Sequence, residues 1–278
     1  KSVSHILSPI LITALKNTIA LFLFIILFIL FDIPFWYSEF SVSDYLKLMI
    51  SGLIGMGIGD ILFIYALSKI GANRVAIINC FEPAVIYLFS VFLLGTILTI
   101  QQLVGFVIVI ISLLIISNEN DSADIDLKIK RKGMFIQIIA VVLSSFGIVL
   151  IKPILSISTN DIQMQLWITS VRLFPGFIIA WSIFLFQKNK LLLLSPLKDF
   201  KTSWKILLSS GLGTFVALSF WIVGYANIEK PPVASIIGQT AVIFIIILSY
   251  IFLKEKISKL RIVSILFALS GVILITLK

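Results

Sequence analysis

An all-α, polytopic membrane bundle is predicted by three observations: long apolar runs, sparse charge confined to short clusters, and two halves that repeat one another. Of 278 residues, 13% are charged and 60% hydrophobic, and the mean hydropathy is +1.16. A soluble chain carries about a quarter charged residues. A run of about 18 or more uncharged apolar residues is long enough to cross the hydrocarbon core as a helix. Water is therefore not the main solvent of this chain.

Apolar runs bounded by charge, proline or polar clusters predict nine spans, at 9–31, 46–67, 75–94, 98–116, 133–151, 166–186, 206–227, 233–253 and 262–277. The longest polar interruption, 118–132 (NENDSADIDLKIKRK), carries both signs of charge and no apolar run. It is the natural linker between a first unit, 1–117, and a second, 133–278.

The units repeat. A shift of 156 places ILITALK (Ile10 to Lys16) on LWITSVR (Leu166 to Arg172), aligning Ile12 with Ile168, Thr13 with Thr169 and Lys16 with Arg172. A shift of 159 places Ser51-Gly52-Leu53 on Ser210-Gly211-Leu212, Ile77-Ile78 on Ile236-Ile237, and Cys80 on Gln239. In this register the span 133–151 has no partner in the first unit. Residue 1 is Lys rather than Met, so the expectation is a native start further upstream and one helix absent from this chain. Five plus five helices follow. An odd number per repeat sends the second copy into the membrane from the opposite side, the inverted plan of many secondary transporters.

Other chemistries fit poorly. The net charge of +9 sits on residues flanking apolar runs and forms no amphipathic stripe, so no nucleic-acid partner is expected. Cys80 is the only cysteine and His5 the only histidine. Neither a disulfide nor a cysteine or histidine metal cluster can be built from them, and no metal or cofactor is expected. No GxxxxGK[ST] pattern is present to use ATP directly.

The segment 52–116 (GLIGMGIGDILFIYALSKIGANRVAIINCFEPAVIYLFSVFLLGTILTIQQLVGFVIVIISLLII) and its second copy ending VASIIGQTAVIFIIILSYIFLKEKISKLRIVSILFALSGVILI resemble the EamA-type repeats of the drug/metabolite transporter superfamily. The likeness rests on the Gly-rich third helix, small residues before the fourth, Pro83 within it, the Leu253-Lys254-Glu255 turn and a Gly in each last helix. It covers the whole chain apart from the absent first helix. The first copy has Gly95-Thr96 where the family's glutamate would stand, and the second has Val242 where the fourth-helix proline would fall. The resemblance implies a transporter of metabolites such as amino acids, amines, nucleobase-like compounds or drugs, with an exporter among the options, and the richness in isoleucine, lysine and phenylalanine points to a bacterial source and so to the inner membrane.

Orientation has two warrants that disagree. Sixteen of the 22 basic residues fall on the side holding Lys1 and the linker, and four (Lys47, Lys152, Lys230, Lys278) on the other. Lys and Arg favour the cytoplasmic side, which places the 188–205 loop inside and Lys278 outside. The resemblance implies the reverse.

Ionisable groups within spans are costly unless paired or facing water, and so are functional candidates. They are Lys16, Asp60, Glu82 and Arg172, with Lys152 near a span end. Pro83 frees the carbonyl of Asn79, and helical spacing puts Asn79, Glu82 and Pro83 on one face, a combination suited to ammonium groups or protons. The alternative is that Glu82 pairs with Lys16 or another basic residue and only locks the bundle. Asp60 follows Gly52, Gly55 and Gly59, which helical spacing gathers into one packing seam. It either faces a cavity or neutralises Lys16 or Arg172. Pro175 marks a bend after Arg172. Trp221 and Tyr225, four apart, make an aromatic wall or lie against lipid. Ser235 and Gln239, also four apart, line a pathway or bridge helices. Glu82, Asp60, Lys16 and Arg172 are the candidates for proton coupling or ion pairing.

The expected function is secondary transport of a small metabolite by alternating access, with the bilayer and the substrate as partners and a homodimer allowed. A scaffold or receptor, and an intramembrane enzyme, are the competing classes. The enzyme lacks a histidine pair or metal-ligand spacing, and a scaffold needs no water-filled cavity.

Overall fold

The computed structural model describes residues 6–118, 126–241, 244 and 259–276. Outside these lie Lys1, His5, the middle of the linker, Val242, most of the second half of the 233–253 span, the Leu253-Lys254-Glu255 turn and Lys278. Among the described residues the chain is helical, without strands.

Helix α1 (Pro9–Leu30) opens on Ser8, whose hydroxyl accepts the Leu11 N–H at 3.3 Å, with Pro9 at a position that needs no N–H donor. Helix α2 (Val42–Ser51) starts with a capping box between Ser41 and Asp44. It runs without a break through a π-helical segment, π1 (Gly52–Gly59), into α3 (Asp60–Asn79). Gly71 interrupts α3 at φ +78, which an L side chain rarely adopts, and residues 72–79 form a separate half-helix. Helix α4 (Glu82–Leu94) ends at Gly95, φ +63, where the Thr96 N–H reaches Ser90 O at 3.1 Å. That Schellman-type stop explains why glycine stands there. Helix α5 (Ile100–Asn118) completes the first unit.

The second unit comprises α6 (Leu127–Leu150), the short α7 (Lys152–Ile157), α8 (Ile162–Leu185), α9 (Lys190–Leu194), a 3-10 turn at Ser195–Lys198, and α10 (Phe200–Ser209). A second π-helical segment, π2 (Ser210–Ala217), then leads into α11 (Leu218–Asn227), followed by α12 (Pro231–Gln239) and α13 (Lys259–Thr276). Pro175 is accommodated inside a continuous α8. By length and composition five helices can cross a membrane: 9–30, 42–72, 127–150, 162–185 and 200–227.

Two sequence expectations are corrected. The 75–94 span is two half-helices, because the chain turns at Cys80 and Phe81 before restarting at Glu82-Pro83, where a proline without an N–H fits a helix start. Asn79 and Glu82 therefore do not share one helical face. A matching turn occurs at Thr240 after α12. The glycines do not form one seam either. In the wider π turn, a methyl on Gly52 or Gly57 would meet α8, whereas one on Gly59 would meet Ser144 Oγ of α6 at 3.1 Å.

Equivalent elements of the two units meet each other where α1 packs on α8 and α5 on α13, and α12 packs on α4, the half-helix that follows its own counterpart at 72–79. Helices α5 and α13 cross backbone to backbone, since a methyl on Gly105 would stand 2.6 Å from Gly271 O. The outward surface is apolar, with Phe22, Ile29, Phe92, Phe135 and Phe220 exposed, while Asn17, Ser51, Gln137, Gln165, Thr169 and Arg172 are buried. This apolar-outside pattern is the one hydrocarbon solvation favours.

Candidate functional site

Lys16, at the end of the second turn of α1, forms an ion pair with Asp60, the first residue after π1. Both line a cavity of about 340 Å³ between the units, together with Glu82, Ser144, Thr214 and Trp221. Glu82 opens α4, so its carboxylate sits where helix N–H groups favour negative charge. Among the described residues it has no ion-pair partner, because Lys16 is taken by Asp60. The pairing of Glu82 with Lys16 is thus not the one formed.

Arg172 is 1% exposed and lies outside the cavity wall. Its Nε donates to Ser51 Oγ at 3.0 Å, the Ser51 hydroxyl donates to Gly147 O at 2.6 Å, and among the described residues Nη1 has no hydrogen-bond partner. Asp60 and Tyr225 are close enough to act on it electrostatically. The aromatic pair divides: Trp221 lines the cavity, whereas Tyr225 is 2% exposed behind it, with ring centroids 4.4 Å apart.

Asn79 and Gln239 take bridging positions. Gln137 Nε2 donates to Asn79 Oδ1 at 2.7 Å, and Gln239 Nε2 donates to Asn79 O at 3.4 Å, tying the two chain breaks together. Ser235 is 3% exposed, with its hydroxyl close enough to the Tyr225 phenol to act on it. Neither Asn79, Ser235 nor Gln239 lines the cavity.

The two π segments are packed differently. At π1 the seam with α8 is shut: a methyl on Gly52 would overlap Arg172 O and stand 2.6 Å from Pro175 Cγ. Asn17 Nδ2 donates to Met56 O at 3.2 Å, satisfying a carbonyl of the π turn. At π2 the corresponding seam with α1 is loose. A methyl on Gly211 would be 3.8 Å from Leu23 Cδ1, and one on Gly213 would meet nothing within 4 Å. The cavity occupies this looser side, lined by Gly213, Thr214, Ala217 and Leu218.

The EamA-like transporter family matches residues 1–118 and 131–277. The chain belongs to the EamA-like transporter family. It is therefore a multi-pass membrane transporter of the drug/metabolite type. No curated protein matches it. One solved structure, described as "Crystal structure of protein", superposes with a TM-score of 0.74 at 16% sequence identity, covering 99% of this chain and 89% of that one. That likeness concerns the fold alone.

Ser51, Ser144, Thr214 and Gln137 were not singled out in the sequence, where isolated small polar residues among apolar ones carry little signal. Only Ser51 had a cue, its register with Ser210. Lys152 is a further structural residue of this EamA-like bundle. Buried at 4% exposure, its ammonium donates to Tyr225 O and Ile228 O at 2.7 Å and Ala226 O at 3.4 Å, capping the C-terminus of α11. Lys152→Met is expected to lower stability by about 2–3 kcal/mol, the scale of buried bonds to a charged group. Thermal unfolding of the purified protein in detergent measures it.

Proposed function

We propose that this chain moves a small metabolite across a bacterial inner membrane by alternating access, using the Lys16–Asp60–Glu82 cavity as its binding site. The observation that carries the reading is the cavity itself: an unpaired carboxylate, an ion pair and an indole ring around open space between two repeated units. Ionisable groups at such depth persist where they face water or a substrate. Amino acids, amines, nucleobase-like compounds and drugs are the substrate classes in play. Glu82 is the group placed to exchange a proton for the substrate, with Asp60 and Lys16 across the cavity and Arg172 and Tyr225 behind its walls.

The packing difference supports a mechanism. Units 1–117 and 133–278 exchange conformations: π1 leaves α8, π2 closes on α1, and the cavity opens on the opposite face. In the exchanged state Lys16 stands to Ser210 as Arg172 now stands to Ser51, consistent with a buried Ser210 hydroxyl that has no hydrogen-bond partner among the described residues.

The test is thiol labelling of Thr214→Cys in a Cys80→Ala background. A water-soluble maleimide should react from one side of the membrane, and a mixture of amino acids, amines and nucleobases should protect the thiol. A site closed to reagent from both sides would favour a scaffold.

For orientation we follow the basic residues, which place the 188–205 loop in the cytoplasm. Ser195→Cys, in the same background, should resist an impermeant thiol reagent in intact cells and react after lysis. Labelling before lysis would put that loop outside.

A further inference from the structure

We infer that the cavity selects a monovalent organic cation with a flat apolar body, a conclusion that rests on the transport reading and narrows it to one charge class. The wall carries one ammonium and two carboxylates, Lys16 against Asp60 and Glu82. Lys16 and Asp60 neutralise each other in their ion pair, so of the charged groups on the wall Glu82 is the one left unpaired, with the Arg172 guanidinium covered behind the wall. A carboxylate held in a partly desolvated cavity gains most from a single positive charge placed against it.

Anions and zwitterions lack a counterpart. Lys16 is already paired, and the Arg172 guanidinium is covered, with Nη2 3.7 Å from where a methyl on Gly55 would stand and the side chain 1% exposed. A ligand carboxylate would therefore meet Glu82 and Asp60 with no free cation to receive it. Trp221 supplies the other half of the recognition. Its indole lines the cavity and is backed by the Tyr225 ring at a centroid distance of 4.4 Å and a tilt of 52°. An indole is the strongest cation–π partner among side chains. Met56, Ala217 and Leu218 give the rest of the wall an apolar surface for the ligand's body. At about 340 Å³ the space is at the small end of ligand cavities.

The same geometry makes protons and the cation compete for Glu82. The groups facing or backing that carboxylate are Lys16 and Asp60 across the cavity, and Tyr225 and Arg172 behind its walls. Apparent affinity for a permanently charged cation should fall as the pH is lowered and Glu82 takes up a proton.

Equilibrium dialysis of the full chain in detergent tests this with three labelled probes sharing a benzene ring: phenyltrimethylammonium, benzoate and phenylalanine. Phenyltrimethylammonium should bind best. Glu82→Gln should weaken it about a hundredfold, the scale expected when one partner of a desolvated charge pair is removed. Trp221→Leu should weaken it about tenfold. Lys16→Met should move the other way, tightening binding severalfold by leaving Asp60 unpaired, a direction that mere structural damage would not produce. Equal or better binding of benzoate or phenylalanine, absence of any Glu82-dependent binding, or weakened binding in Lys16→Met overturns the cation assignment. Labelling of Thr214→Cys separates the two readings. A reactive, water-facing thiol with no cation preference retains the transport cavity and discards the class, whereas an unreactive one discards both.

Discussion

Glu82→Gln is expected to abolish substrate flux in reconstituted vesicles, or to strip it of its pH dependence, while leaving the protein folded. The substitution keeps side-chain size and hydrogen-bonding capacity and removes only the charge. Among the described residues Glu82 is the carboxylate of the cavity without an ionic partner, so it can bind a proton or a substrate cation without first breaking an ion pair. Protonation discharges it. Flux that depends on the ionised form should therefore fall as the pH on the loading side is lowered. The glutamine variant should show a flat, near-zero profile over the same range. Unchanged elution on size exclusion and unchanged Thr214→Cys reactivity would show that folding survives. Wild-type flux with wild-type pH dependence would reduce Glu82 to a structural residue at the start of α4.

The parts of this architecture that follow from summed hydropathy were legible in the sequence. Helices α1 and α8 and the apolar part of α6 lie close to where uncharged runs end at charge or proline, because span length is fixed by bilayer thickness and not by any single contact, although α6 begins at Leu127 and takes the basic cluster 128–132 out of the expected linker. The bundle and its membership of the EamA-like family were equally readable, since they rest on patterns extending over the whole chain. Local backbone departures were not. The turn at Cys80 and Phe81 comes with Gln137 and Gln239 reaching Asn79 from other helices, and sequence spacing cannot anticipate those partners. The π1 segment likewise sends Gly52 toward α8 and Gly59 toward α6, although an ideal helix of that spacing aligns them. Lys16 and Asp60 are 44 residues apart. Each was visible as a charge in a span, and only the packing of α1 on α3 decides that they pair with each other and leave Glu82 free.

The difference between the two π seams leads to the most direct test of how this transporter moves. Gly52→Ala should disrupt the state described here, because the added methyl meets the backbone oxygen of Arg172 and the ring of Pro175 at 2.6 Å, neither of which is a flexible side-chain end. Overpacking of this kind costs about 1–3 kcal/mol. A lowered melting temperature and lost flux are both expected. Gly211 occupies the equivalent position in the second unit, and there the methyl would only reach ordinary contact with Leu23 Cδ1 at 3.8 Å. Gly211→Ala should therefore leave the stability of this state within about 0.5 kcal/mol of wild type, as for other unstrained substitutions. If the units exchange conformations, however, π2 must close on α1 as tightly as π1 now closes on α8, and the Gly211 methyl would then strike the backbone around Lys16. Gly211→Ala is thus expected to be stable and inactive, trapped with the cavity on its present side and with Thr214→Cys labelled from that side alone. A Gly211→Ala protein that transports normally would refute exchange of the two seams.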